Sequence, residues 1–275
     1  MQITIDYSRD KLLTQQGYDL IKKHYMKPGD VSPQDAFART CLYFGSNNEH
    51  AQRLYDAVSK LHFMFSSPIL SNNSHTDRGL PISCFLSYVS DDLDGLIGHE
   101  TETKWLSIFG GGVGGHWDDV RCISSKSPGP IPFIHSVDGA LTAYKQGETR
   151  KGAYAAYMDI GHPDIKEFIN IRVPGGDINR KSYNLHNAIN IPDAFMEAVN
   201  NDEEWQLIDP KTKYVKEVVK ARELWEMILT VRHRTGEPYL NFIDTANEHL
   251  HPAQKKLGKK IRGSNLCNEI HLVTD

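Results

Sequence analysis

Ile82-Ser83-Cys84-Phe85-Leu86-Ser87-Tyr88-Val89 is a run of aliphatic and aromatic residues preceded by the polar stretch 72–79, the composition of a buried strand. If the strand is regular, Ser83 and Cys84 point to opposite faces. Upstream the apolar spacing is helical. Leu12, Leu13, Leu20 and Ile21 are predicted to line one buried face, and Leu54, Ala57, Val58 and Leu61 repeat at i, i+3, i+4, i+7. Ser32-Pro33 reads as an N-cap with proline at the first helical position and Asp35 in the first turn. Phe37 and Cys41, four apart on that helix, read as packing. Residues 66–71 break this pattern, so the expected division is a helical region over 1–65 and a main domain over 66–275. Downstream the pattern alternates: helix at 100–108, the glycine run 110–115, helix at 133–145, a glycine-bearing loop at 146–152, strand at 154–160 and helix at 163–171. A strand at 186–191, helices at 192–200 and 221–234, and strands at 238–243 and near Ile261 complete it, with a small hairpin excursion within 202–217. Such alternation predicts an α/β fold with a parallel sheet of about five strands.

Bulk properties narrow the function. The 275 residues carry a net charge of −4, and no basic cluster runs beyond the lysine pairs 255–256 and 259–260, so no nucleic-acid footprint is expected. No apolar run approaches the ~20 residues of a membrane span, and the N-terminus lacks a signal-peptide pattern. The four cysteines, Cys41, Cys84, Cys122 and Cys267, are widely spaced without a CxxC, which fits a reducing, cytoplasmic setting. His249 and His251 form the one HxH spacing and read as loop residues, so no metal site is expected.

The chemistry is expected at Ser264-Asn265-Leu266-Cys267-Asn268-Glu269-Ile270. In an extended segment Asn265, Cys267 and Glu269 share one face while Leu266, Asn268 and Ile270 take the other. A lone cysteine is more often a small core hydrophobe; a thiol, a carboxylate and a carboxamide at period two favour a site. The glycine run Gly110-Gly111-Gly112-Val113-Gly114-Gly115 lacks the Lys-Ser/Thr of a phosphate loop and follows a helix rather than a first strand, so neither nucleotide fingerprint fits.

Ser-Asn-Leu-Cys-Asn-Glu-Ile resembles the finger-loop motif of the ribonucleotide reductase large (catalytic) subunit, in which this Cys becomes a thiyl radical inside a ten-stranded α/β barrel. The resemblance covers about 66–270. It implies the first half of that barrel, about five parallel strands ending at the finger loop, after a helical N-terminal region. It also implies reduction of ribonucleotides to deoxyribonucleotides, with Cys267 abstracting the 3′ hydrogen, Glu269 as general base, Asn265 orienting the substrate, and Cys84 as one half of the redox pair. Cys122 matches no functional position of the family. Substrate contacts are implied for Ser67, Ser83, Cys84, Gly112, Asn265, Leu266, Cys267, Asn268 and Glu269. Effector contacts are implied for Asp91, Arg121, Gln146 and Arg150. No cofactor is expected in this chain; the radical would come from a metal-bearing small subunit or from cobalamin, and thioredoxin or glutaredoxin would re-reduce the disulfide.

Three departures qualify the resemblance. There is no ATP-cone signature, the stretch between Gly115 and Pro130 is shorter than the family's effector-binding loop, and the sequence stops at Asp275, short of the second redox cysteine and the radical-relay tyrosines. The expectation is therefore the N-terminal half of a catalytic subunit, inactive alone and completed by a C-terminal half. Two alternatives differ in class. One is an inactive nucleotide-binding or assembly module with the reductase fold, separable by nucleotide titration. The other is an unrelated dinucleotide oxidoreductase, recognisable by a bound chromophore.

Overall fold

The computed structural model describes residues 2–74, 79–144 and 152–274, and the chain divides into two units, Met1–Ser83 and Cys84–Asp275. The first is helical: a 3-10 turn Tyr7–Leu12, then α1 Gln15–His24, α2 Pro33–Phe44, α3 Asn48–Ser59 and the short α4 Ser67–Ser71. Helix α2 starts where the sequence predicted. The Ser32 hydroxyl accepts from Gln34 N and the Asp35 carboxylate returns to Ser32 N, so two otherwise orphaned amides are satisfied. Phe37, Cys41, Tyr55 and Val58 are fully buried in this unit's core. Burial pushes the Cys41 thiol up to about 12, which makes it a packing residue. The predicted α1 face is narrower than expected: Ile21 is buried and Leu13 packs beside it, whereas Leu12 and Leu20 are exposed. Leu61 has left the helix with φ 60° and is also exposed.

The second unit is a parallel sheet in sequential order. Its strands are β1 Cys84–Tyr88, β2 Gly112–His116, β3 Ala153–Asp159, β4 His186–Ile191 and β7 Tyr239–Phe242. The connections carry α5 Leu93–Ile108, α6 Ile131–Ala143, α7 Ile165–Ile169, α8 Asp193–Asn201 and α9 Ala221–Thr235. A two-stranded antiparallel hairpin, β5 Glu204–Ile208 with β6 Val215–Lys220, forms the predicted excursion. Beyond β7 come α10 Ile243–Glu248 and α11 Pro252–Lys256. The sheet is open, its outer strands being β1 and β7. Two expectations change here. The glycine run is itself a strand, and residue 261 makes only a single antiparallel bridge to Val273.

Period-two alternation gives the sheet two unlike faces. On one, Val113, Tyr154, Ala156, Met158, Ile189 and Ile191 meet the helices in a continuous apolar core. A buried polar chain crosses that face. The Ser87 hydroxyl lies 2.9 Å from His99 Nδ1 and donates to Glu102; His99 Nε2 lies 2.7 Å from the Tyr154 hydroxyl, which also accepts from Trp117 Nε1. On the other face Gly112, Gly114, Ala155 and Ala188 leave a shallow trough, and the segment 261–270 runs over it. Among the described residues no helix is long and apolar enough to cross a membrane.

Candidate active site

The glycines of β2 are explained by what lies on them. A Cβ at Gly114 would stand 1.9 Å from the Ser264 carbonyl oxygen, and one at Gly112 would stand 2.5 Å from Leu266 Cδ2. Only glycine lets residues 264–266 come this close to the strand. Gly112, expected to approach a ligand, here receives Leu266, which packs with Ala155, Tyr157, Ala188 and Tyr239. Leu266 is therefore an anchor of the loop on the inner face.

Residues 264–270 form a tight loop rather than the extended segment expected. Asn268 N donates to Asn265 O at 3.3 Å, and Asn268 sits at φ 65°, a left-handed conformation that asparagine tolerates best among residues with a side chain. The Asn265 side chain braces the turn: its Oδ1 accepts from Glu269 N at 3.1 Å and Ile270 N at 3.0 Å. Asn265 N and the Ser264 hydroxyl both donate to Ile270 O. Tyr157 on β3 donates its hydroxyl to Asn265 O at 2.6 Å, and burial pushes this phenol far above its ordinary range, so it remains a donor. His116 at the end of β2 is fully buried, and burial pulls its imidazole down to about 4. As a neutral ring it bonds Ser264 O through Nε2 at 3.1 Å and the Thr274 hydroxyl through Nδ1 at 3.1 Å. The stem is held by Asn190, which donates to Arg262 O, and by Arg262 itself, paired with Asp119 and stacked over the Tyr88 ring.

The result is a buried base and an exposed tip. Ser264 and Asn265 have no exposed surface, whereas Cys267 and Glu269 are exposed. The tip faces the start of β1. The Cys84 thiol lies 3.9 Å from Glu269 Oε1, within donating range for sulfur, although 185 residues separate the two. Asn265 Nδ2 is buried with no partner among the described residues, an unmet donor at the base of the tip. The loop therefore carries a thiol, a carboxylate and an amide donor, and brings the carboxylate within 3.9 Å of the Cys84 thiol.

This fold is shared with known proteins. The barrel domain of ribonucleotide reductase matches residues 82–275, and its all-alpha domain matches residues 11–78. This chain belongs to the ribonucleotide reductase large-subunit family. A Frog virus 3 protein is 60% identical over 232 residues, which cover 84% of this chain and 41% of that protein. The ribonucleoside-diphosphate reductase large subunit of Invertebrate iridescent virus 3 is 41% identical, covering 99% of this chain and 52% of its own length. Among solved structures, the Actinobacillus ureae class Id ribonucleotide reductase alpha subunit superposes with a TM-score of 0.81 at 26% identity, over 99% of this chain and 48% of that one. The chain thus spans about half or less of the length of the relatives it matches, and the open five-stranded sheet corresponds to half of the reductase barrel.

The other expected residues fall as follows. Asp91 and Arg121 are brought together: Arg121 Nε lies 2.9 and 2.8 Å from the two Asp91 oxygens. Gln146 and Arg150 lie outside the described residues. Ser67 opens α4 in the helical unit, its hydroxyl 2.8 Å from that of Tyr25, and Ser83 is that unit's last residue. Asn268 receives a long bond from the Tyr157 hydroxyl at 3.4 Å. Cys122 lies beyond the C-terminal end of β2, near Lys216, with its thiol raised to about 11, mainly by burial. Tyr157, His116 and Gly114 were not singled out by the sequence. Tyr157 carried a weak signal, since period two places it with Ala155 on the face opposite Tyr154 and Met158. Among the described residues no group of three or more His, Cys, Asp or Glu could hold a metal.

Proposed function

We propose that this chain contributes the thiol machinery of ribonucleotide reduction, and that Cys267, Glu269, Asn265 and Cys84 carry it. The observation behind the reading is the approach of Cys84 to Glu269, two residues from Cys267, on the inner face of a reductase half-barrel. The ribose 2′-hydroxyl is not displaced by polar chemistry at an unactivated carbon, so the reaction needs a radical next to it. A thiyl at Cys267 removes the 3′ hydrogen, because S–H and sugar C–H bonds are close enough in strength for the transfer to reverse. Glu269 takes the 3′-hydroxyl proton; one proton is returned to the 2′-hydroxyl, which leaves as water, so that a carbonyl forms at the 3′ carbon and the radical passes to the 2′ carbon. The buried Asn265 amide, already fixed through its Oδ1, offers Nδ2 to the sugar oxygens.

Cys84 then supplies reducing hydrogen and becomes half of a disulfide, which requires a second thiol. Cys122 sits at the other end of the sheet and Cys41 is sealed in the helical core, so that thiol comes from neither. Turnover is therefore expected only when polypeptide equivalent to the rest of the relatives' length is present, in the same chain or a separate one. The radical is generated outside these residues, by a metal-bearing small subunit or cobalamin, and a thioredoxin or glutaredoxin restores the thiols. Ribonucleoside diphosphates are the substrate class that the relatives' names carry. Gly112, Leu266 and Asn268 are proposed to border the substrate, and Asp91, Arg121, Gln146 and Arg150 an effector.

The test separates the two thiols. In an assembly that forms deoxyribonucleotide, Cys267→Ser is expected to abolish both product formation and substrate 3′-hydrogen exchange. Cys84→Ser is expected to abolish multiple turnovers while leaving 3′-hydrogen exchange. Product formation by Cys267→Ser contradicts the assignment.

A further inference from the structure

One side chain of the inner face holds the loop on both sides of its exposed cysteine. The Tyr157 hydroxyl donates to Asn265 O at 2.6 Å and lies 3.4 Å from Asn268 Oδ1. Between them Leu266 packs into the cluster that Tyr157 forms with Ala155 and Ala188. Of residues 265–268, only Cys267 is left exposed. Asn265 O also accepts from Asn268 N, at 3.3 Å. The shorter phenol bond is the stronger of the two.

The preceding carbonyl is held in the same way from the next strand. His116 and Tyr157 are direct partners across β2 and β3, their rings edge-on with centroids 5.5 Å apart. A carbonyl oxygen can only accept, so His116 Nε2, 3.1 Å from Ser264 O, carries the hydrogen, and Nδ1 accepts from the Thr274 hydroxyl. Two adjacent rings thus donate to consecutive carbonyls, and the peptide planes leading into Leu266 cannot turn without breaking one of these bonds. Gly112 and Gly114 give the loop room, and this pair gives it direction.

We propose that Tyr157, acting with His116, is a positioning residue for Cys267, fixing the turn so that the thiol meets the 3′ carbon of the substrate at a set angle. The proposal rests on the reductase reading of Cys267. Tyr157→Phe removes the hydroxyl and keeps the ring, so the trough stays filled. Amide hydrogen exchange of the full chain reads the effect without turnover. The variant is expected to speed exchange at Asn265, Glu269 and Ile270 about fivefold, the population change that loss of one hydrogen bond brings, with the amides of β3 and β4 unchanged. Tyr154→Phe is the control. Its hydroxyl is also bonded, to His99 and Trp117, on the opposite face of the same strand, and its loss is expected to leave exchange at 265–270 unchanged. In an assembly that forms deoxyribonucleotide, Tyr157→Phe is expected to lower kcat about tenfold and to leave KM alone. Wild-type exchange in Tyr157→Phe, equal acceleration in Tyr154→Phe, or an unchanged kcat overturns the role of Tyr157 while the reductase reading stands. Absence of product and of 3′-hydrogen exchange in every assembly of the wild-type chain overturns the reductase reading, and with it the purpose given to Tyr157.

Discussion

The two faces of the sheet use opposite means to the same end. The helix-covered face is filled by large side chains, Val113, Tyr154, Met158, Ile189 and Ile191, whose burial provides most of the driving force for folding. The inner face is stripped of side chains at Gly112, Gly114, Ala155 and Ala188, and main chain from residues 263–266 fills the trough. One face uses side-chain volume to hold the domain together. The other gives it up to hold the 264–270 loop in a fixed place.

This difference is open to direct attack. Ile189→Ala, on the packed face, is expected to cost about 2–5 kcal/mol of stability without moving the loop, read as a lower denaturation midpoint with unchanged Cys267 alkylation rate. Gly114→Ala, on the trough, is expected to cost less, about 1–3 kcal/mol, yet to shift residues 264–270 and change that rate severalfold. If the two substitutions act alike, the faces do not differ as described.

A smaller effect sharpens the contrast through pH. His99 on the packed face is pulled down to about 4, chiefly by burial. Its unfolded counterpart titrates near 6.5, so between these values the unfolded chain holds more protons and stability falls as the pH drops from 6.5 toward 4. The slope from this residue is at most about 1.4 kcal/mol per pH unit. Asp118, raised well above the carboxylate range by burial and by neighbouring Asp159, works in the opposite direction. The informative quantity is therefore a difference: His99→Gln is expected to show a flatter loss of melting temperature than wild type over this range. Equal slopes would remove the histidine from the account.

The packed face was legible in the sequence because its signals are local. The strand at 82–89, the Ser32 cap and the hairpin follow from spacing and turn chemistry within a few residues. The inner face was not, because its signals are long-range. Residues 110–115 carry too few side chains to show a strand period, and the reason that Gly114 is glycine lies 150 residues away, in Ser264. The loop itself misled in a different way. Period two is the right expectation for an extended segment, but Asn265 binds the amides four and five residues on and folds the segment back. The loop still brings Glu269 to Cys84, 185 residues away, a long-range contact that spacing within the motif does not show.

The central claim, that the 264–270 loop holds its thiol beside the start of β1, is tested most directly by thiol cross-linking of the native chain. Glu269 contacts Cys84 and lies two residues from Cys267, a span of about 7 Å at most. A bifunctional thiol reagent of about 10 Å reach is therefore expected to join Cys84 to Cys267, found by mass spectrometry as the major cross-linked peptide pair. Single alkylation of both cysteines, with no link between them, would contradict the account.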